Sequence, residues 1–231
     1  MSEVLLAALR LSMDLAGRTV LDGVALTASA GEVVAVVGAN GAGKTTLLRA
    51  CAGLLPQATG DLTLGGVDPR QTAPERLAAL RAYAPQHPTS AWDYTLTELG
   101  SLAPSPEAFH HWRERFGLSA SAARRLSELS GGERKVAHLS LTFSALGDAF
   151  GKVLLLDEPT TALDLCRAEL VARAIRASAQ AGAAVLVATH DLAWARGCDR
   201  VLVLSEGRLV AAGPPDTALT AELVRATWGG S

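Results

Sequence analysis

Eight consecutive residues, Gly38-Ala39-Asn40-Gly41-Ala42-Gly43-Lys44-Thr45, constrain the fold of this chain more than any other stretch. They fit the spacing G-x-x-x-x-G-K-T, which has a mechanical reason: glycines let backbone N–H groups curl around phosphate oxygens with no Cβ in the way. Lys44 can then reach the outer phosphates, and Thr45 can set its hydroxyl on Mg²⁺. A helix starting here points its partial positive end at the anion. The surroundings agree. Val33 to Val37 is a continuous apolar run of strand length, and from Thr45 to Leu55 apolar residues return at helical spacing.

Two later runs, Val153 to Leu156 and Ala184 to Ala188, are short and apolar on successive residues, as expected for parallel strands covered on both faces. Near the N-terminus, Val4 to Leu11 and Val20 to Ala28 read as antiparallel strands, punctuated by the turn signals Ala16-Gly17-Arg18 and Asp22-Gly23. Gly60 to Gly66, with Leu62 and Leu64 alternating, returns a strand to them, and Pro74 to Ala82 has the spacing of a short helix. Trp92 to Leu129 has helical periodicity in Glu107 to Arg115 and Ser119 to Leu129 and little strand character. Val201 to Leu204 and Leu209 to Ala211 flank a hairpin turn at Ser205-Glu206-Gly207-Arg208, before a helix from Thr217 to Trp228. The expected fold is therefore α/β: a P-loop NTPase core with a parallel sheet, an antiparallel β subdomain and a small helical subdomain. One domain is expected over 1–231, with the antiparallel β part and catalytic core in 1–86 and 130–231 and the helical part in about 87–129.

Composition narrows the partners. A formal net charge of −2, with only Lys44, Lys135 and Lys152 as lysines, gives no electrostatic footprint for nucleic acid. No apolar run approaches the roughly eighteen residues of a membrane span, and no signal-peptide pattern opens the chain, so a cytosolic location is expected. Cys51, Cys166 and Cys198 are far apart with no Cys-x-x-Cys pair, and are expected to be structural thiols in a reducing compartment.

A phosphate loop alone leaves kinases, GTPases and many ATPases open. Val153-Leu154-Leu155-Leu156-Asp157-Glu158-Pro159 is an apolar strand ending in two carboxylates, at the end where a parallel sheet binds its ligand. Asp157 suits Mg²⁺, and Glu158, just off the strand, is placed to act as general base toward the attacking water. His190 lies directly past the apolar run Ala184 to Ala188, at the same edge. Leu129-Ser130-Gly131-Gly132-Glu133 then opens a second helix with a serine hydroxyl and two bare backbone positions, a further anion-binding start.

With that last segment the chain resembles the ABC ATPase family over almost its whole length. The family's further marks occur in order: Gln86 after Ala84-Pro85, the Ala162-Leu163-Asp164 turn, and His190 in Thr189-His190-Asp191. The resemblance implies an ATPase whose two copies sandwich two ATP molecules head to tail, the Ser130 segment of one chain meeting the γ-phosphate held by the other. By that resemblance, Gly38, Ala39, Asn40, Gly41, Ala42, Gly43, Lys44, Thr45 and Thr46 bind ATP. Ser130, Gly131 and Gly132 complete the opposite site, and Asp164 works at the dimer seam. Thr45, Gln86 and Asp157 serve Mg²⁺, while Glu158, His190 and Gln86 carry catalysis. The implied partners are a second ATPase subunit, integral membrane permease subunits and an extracytoplasmic binding protein. The implied location is the cytoplasmic face of the cell membrane. A soluble ABC scaffold, as in iron–sulfur cluster assembly, shares these motifs and is the alternative.

Three finer expectations follow. The family's adenine-stacking aromatic has no counterpart here: Leu15 stands in its place, and no aromatic residue precedes Tyr83. The base is then held by apolar contact and Arg18, forgoing about 1 to 3 kcal/mol of stacking. The segment His87-Pro88-Thr89-Ser90-Ala91-Trp92-Asp93-Tyr94 lies where family members dock membrane partners, and Trp92 and Tyr94 suit either that surface or packing within the helical subdomain. The tail from Gly213 to Gly229 and the long connector Ser144 to Lys152 are similar to importer ATPases for iron-siderophore, haem or cobalamin, although the helical stretch before Leu129 is shorter than in that group. His87, His110, His111 and His138 are expected to be surface or packing residues.

Overall fold

The computed structural model describes residues 3–88, 92–118, 120 and 122–228. Strands β1 (Val4–Leu15) and β2 (Arg18–Ser29) form an antiparallel hairpin that turns at Ala16-Gly17. After β3 (Val33–Val37) and helix α1 (Lys44–Cys51), the chain returns as β4 (Thr59–Leu64) to the free side of β1. Helix α2 (Pro74–Leu80) leads into β5 (Arg81–Ala84), and helices α3 (Leu96–Ser101) and α4 (Pro106–Arg115) follow. Helix α5 (Gly131–Leu146), β6 (Val153–Asp157), α6 (Leu165–Gln180), β7 (Ala184–Ala188) and α7 (Leu192–Ala195) come next. They are followed by β8 (Arg200–Ser205), β9 (Arg208–Gly213), α8 (Pro215–Ala218) and α9 (Ala221–Trp228). The second sheet runs in the order β5-β6-β7-β3-β8-β9, parallel except for the edge strand β9.

The short strands β3, β6 and β7 are buried at every position, and alternate residues enter opposite halves of the core. Val33, Ala35 and Val37 join Leu154, Leu156, Val185 and Val187 on the side covered by α5 and α6. Val34 and Val36 join Val153, Leu155 and Leu186 on the side covered by α1 and the antiparallel sheet. Burial on both faces removes the polar-apolar alternation of a half-exposed strand, which is why these runs are uniformly apolar. Around α4 and α5 the core is aromatic: Trp112 and Phe116 lie 4.8 and 5.3 Å, centroid to centroid, from Phe143.

Several local expectations are corrected. Asp22-Gly23 is no turn but a bulge inside β2, where Gly23 sits at φ +63° and pairing slips between Leu11↔Val24 and Met13↔Leu21. Helix α1 stops at Cys51 rather than Leu55, the chain turning at Gly53 with φ +74°. Strand β5 was not foreseen, because four residues directly after a helix carry no period of their own and only pairing with β6 defines them. No α-helix forms in the described part of Ser119 to Leu129; Ser119 and Ser121 lie outside the described residues. There Arg124 and Tyr94 carbonyls accept from Leu96 and Leu126 N–H groups, so the backbone bonds across to residues 94–97, and a single 3₁₀ turn spans Leu126–Glu128. The final helix is two: α8 ends before Leu219, and the Thr220 hydroxyl accepts from Leu223 N–H as α9 begins. Cys51 and Cys198 are buried, which pushes both thiols up to about 12, but Cys166 is exposed at the start of α6 and is no core thiol. Among the described residues no helix is long and apolar enough to cross a membrane.

Candidate nucleotide site

The Gly-rich loop leaves the carboxyl end of β3 at the centre of the parallel sheet. Gly43, the residue before α1, has φ +105°, and a Cβ there would lie 2.9 Å from the Val20 carbonyl oxygen, so both backbone conformation and space require glycine. The loop is braced from behind, Gly207 N–H of the β8–β9 turn donating to the Ala42 carbonyl at 3.0 Å. Lys44 is buried, its ammonium donating to the carbonyls of Gly38 at 2.8 Å and Ala39 at 3.1 Å. Burial draws its pKa below the ordinary lysine value, opposed by the charges of Glu158 and Asp157. The loop opens on a cleft of about 260 Å³ lined by Val20, Asn40 to Thr46, Gln86, Asp157 and Glu158. Gly38 and Ala39 stand behind it as the acceptors of Lys44.

The far wall is the end of β6. Both carboxylate oxygens of Asp157 are buried and make no hydrogen bond. Burial pushes its pKa above the ordinary value; the adjacent Thr45 hydroxyl counters this, Glu158 adds to it, and the Lys135 and Lys44 ammonium groups pull it back. Unpartnered carboxylate oxygens, a threonine hydroxyl and the Gln86 amide around one cleft form a hard-oxygen donor set that fits Mg²⁺. Glu158 follows in the left-handed region at φ +50°, a conformation that costs a non-glycine residue on the order of 1 kcal/mol, and its N–H donates to the Ala188 carbonyl of β7 at 2.9 Å. Its carboxylate accepts from the Thr161 hydroxyl at 3.0 Å and pairs with His190 Nδ1 at 2.8 Å. Glu158 is buried, whereas the His190 side chain is 60% exposed and touches the site through Glu158.

This chain matches the ABC transporter family over residues 21–161. It is 41% identical to the hemin import ATP-binding protein HmuV of Streptomyces coelicolor, over 92% of this chain and 79% of that protein. It is 39% identical to HmuV of Rhodopseudomonas palustris, over 92% and 84%. A solved ATP-binding subunit of an ABC transporter superposes with a TM-score of 0.80 at 26% identity, covering 98% of this chain and 95% of that one. The chain belongs to the ABC transporter ATPase family.

As an ABC ATPase it binds and hydrolyses ATP, and the cleft contains only part of what the family motifs name. Ser130 caps α5, its hydroxyl accepting from Glu133 N–H at 3.2 Å while its own N–H donates to the Glu133 carboxylate at 2.9 Å. Gly132 packs where a Cβ would lie 2.9 Å from the Ala162 carbonyl, and Asp164 caps α6 by accepting from Arg167 N–H at 2.9 Å. Ser130, Gly131, Gly132 and Asp164 thus gather beside the turn that follows Glu158 and do not line the phosphate cleft.

Three residues in or against the cleft are not marked by the sequence motifs. Val20 lines the cleft where Leu15, 41% exposed at the hairpin tip, does not. Thr161 bonds the base candidate. Lys135 is buried at the back of the site, and the one signal for it was scarcity: of three lysines, two lie here. A neighbouring cavity of about 560 Å³ shares Thr45, Gln86 and Asp157 and adds Arg49, Tyr83 and His138; burial, then Arg134 and Lys135, push His138 down to about 4. In the expected docking segment, Thr89, Ser90 and Ala91 lie outside the described residues, Trp92 is 71% exposed, and Tyr94 packs on the core.

Proposed function

We propose that two copies of this chain close head to tail on two ATP molecules and drive import through separate membrane permease subunits, held at the cytoplasmic face of the membrane. The observation that carries the dimer is the split between the two glycine-rich segments: the phosphate loop lines the cleft, and Ser130, Gly131 and Gly132 do not. A second chain has to deliver them, with Asp164 at the seam. Within the iron-siderophore, haem or cobalamin importer type, the relatives named as hemin import ATP-binding proteins favour haem as the cargo, and an extracytoplasmic binding protein is the further partner proposed. They also count against a soluble iron–sulfur scaffold.

On ATP binding, Lys44 exchanges the carbonyls of Gly38 and Ala39 for phosphate oxygens, and the N–H groups of residues 40–46 surround the anion. Thr45, Asp157 and Gln86 would hold Mg²⁺, which would neutralise charge on the outer phosphates. Glu158 takes the proton from water as it attacks the terminal phosphorus, and ADP leaves with the electrons of the broken P–O bond. His190 holds the Glu158 carboxylate at the cleft edge, beside the position the terminal phosphate takes.

The test is co-purification of this chain with membranes, followed by reconstitution in lipid vesicles with the permease captured in that way. Haem-loaded binding protein is expected to stimulate ATP hydrolysis several-fold, and a chain that never co-purifies with membranes or permease overturns the transporter reading. The apolar wall at Val20 and the absence of an upstream aromatic predict weak base selection. In competition assays ATP is expected to win over GTP by less than about a hundredfold, as one missing stacking contact worth about 1 to 3 kcal/mol implies.

A further inference from the structure

Lys135 lies in the second turn of α5, the helix that begins at Gly131, and is 7% exposed. Its ammonium donates to the Gln86 carbonyl at 2.8 Å and approaches the Asp157 carbonyl at 3.5 Å. A buried ammonium is retained only where acceptors and opposite charge offset its desolvation. Here burial lowers its pKa, and Asp157 and Glu158 act to raise it. The two peptides it bridges carry two of the side chains assigned above to Mg²⁺. One cation therefore ties three elements together: the start of α5, the turn after β5, and the end of β6. Its contacts are with backbone, so it acts on Gln86 and Asp157 through their placement.

We propose that Lys135 is a positioning residue for hydrolysis, clamping the Gln86 and Asp157 peptides to the signature helix so that both side chains face the phosphate cleft. This rests on the proposed role of Gln86, and the experiment separates the two. Steady-state ATP hydrolysis is measured on the full chain for Lys135→Met, Lys135→Arg, Gln86→Ala and the Lys135→Met/Gln86→Ala pair. Lys135→Met is expected to lower kcat by about tenfold with KM for ATP within about twofold, because the phosphate loop that grips ATP is untouched. Lys135→Arg, which keeps charge and donors, is expected to restore kcat to within about threefold of the parent. In the pair, Lys135→Met is expected to cost about threefold or less beyond Gln86→Ala, against about tenfold in the parent, since only the Asp157 side chain then remains to be positioned.

Equal costs of Lys135→Met with and without the Gln86 side chain overturn the clamp. So does a Lys135→Arg variant as slow as Lys135→Met, or a kcat unchanged in Lys135→Met. If Lys135→Met does not fold, by circular dichroism and thermal melting, Lys135→Gln, which removes the charge but keeps a donor, and its own pairing with Gln86→Ala decide by the same criteria. A Gln86→Ala chain that hydrolyses at the parent rate removes the role of Gln86 instead, and a Lys135→Met loss beside it overturns the clamp as drawn.

Discussion

Replacing Glu158 by glutamine is expected to lower the rate of ATP hydrolysis by about 10² to 10⁴-fold while ATP still binds, the range by which a positioned general base accelerates proton transfer. The substitution is nearly isosteric. An amide oxygen can still accept from the Thr161 hydroxyl, which lies 3.0 Å from the carboxylate, and the phosphate-binding groups are not touched. What is lost is the capacity to take a proton from water. With binding intact and hydrolysis stopped, the ATP-bound dimer should accumulate, visible in size-exclusion chromatography or analytical ultracentrifugation as a shift from monomer to dimer on adding MgATP. A Glu158→Gln chain hydrolysing within about threefold of the parent rate would remove the residue from the base role.

Lys44→Ala is expected to act one step earlier, weakening ATP binding by about 10² to 10³-fold, in line with about 2 to 5 kcal/mol for truncating a buried hydrogen-bonded charge. The ammonium is held by two loop carbonyls and faces the Asp157 and Glu158 charges. Without it the loop loses its side-chain cation, and two carboxylates stand closer to uncompensated beside incoming phosphates. Fluorescent nucleotide titration separates this outcome from that of Glu158→Gln: the Lys44 variant should fail to bind, the Glu158 variant to turn over. ATP binding by Lys44→Ala within about threefold of the parent affinity would contradict the assigned contact.

The difference between the two variants follows from how each residue could be read. Lys44 sits in a motif whose chemistry is local, glycines and a lysine at fixed offsets, so its place was legible before any fold was known. Glu158 was legible because an apolar run ended in it. Its pairing with His190, 32 positions later, required β6 and β7 to lie side by side. Val20 and Lys135 were not legible. Val20 faces the cleft only because the hairpin of the antiparallel sheet is laid against Gly43, and Lys135 reaches Gln86 across 49 positions of chain. The region between Ser119 and Leu129 shows the reverse error: helical spacing was present, but the backbone groups found partners in residues 94–97 instead.

Local chemistry therefore determined the phosphate loop of Gly38 to Thr45, the acidic strand end, the second glycine-rich helix start and the α/β class. Each depends on residues within one turn or one strand, where dihedral preference and side-chain spacing act directly. Tertiary structure alone decided which of these motifs share a cleft. It put Asp157 and Glu158 opposite Lys44, left Ser130 to Gly132 outside, and set Lys135 behind Gln86. Those pairings are set by sheet order and by desolvation in a common core, which no short stretch of sequence encodes.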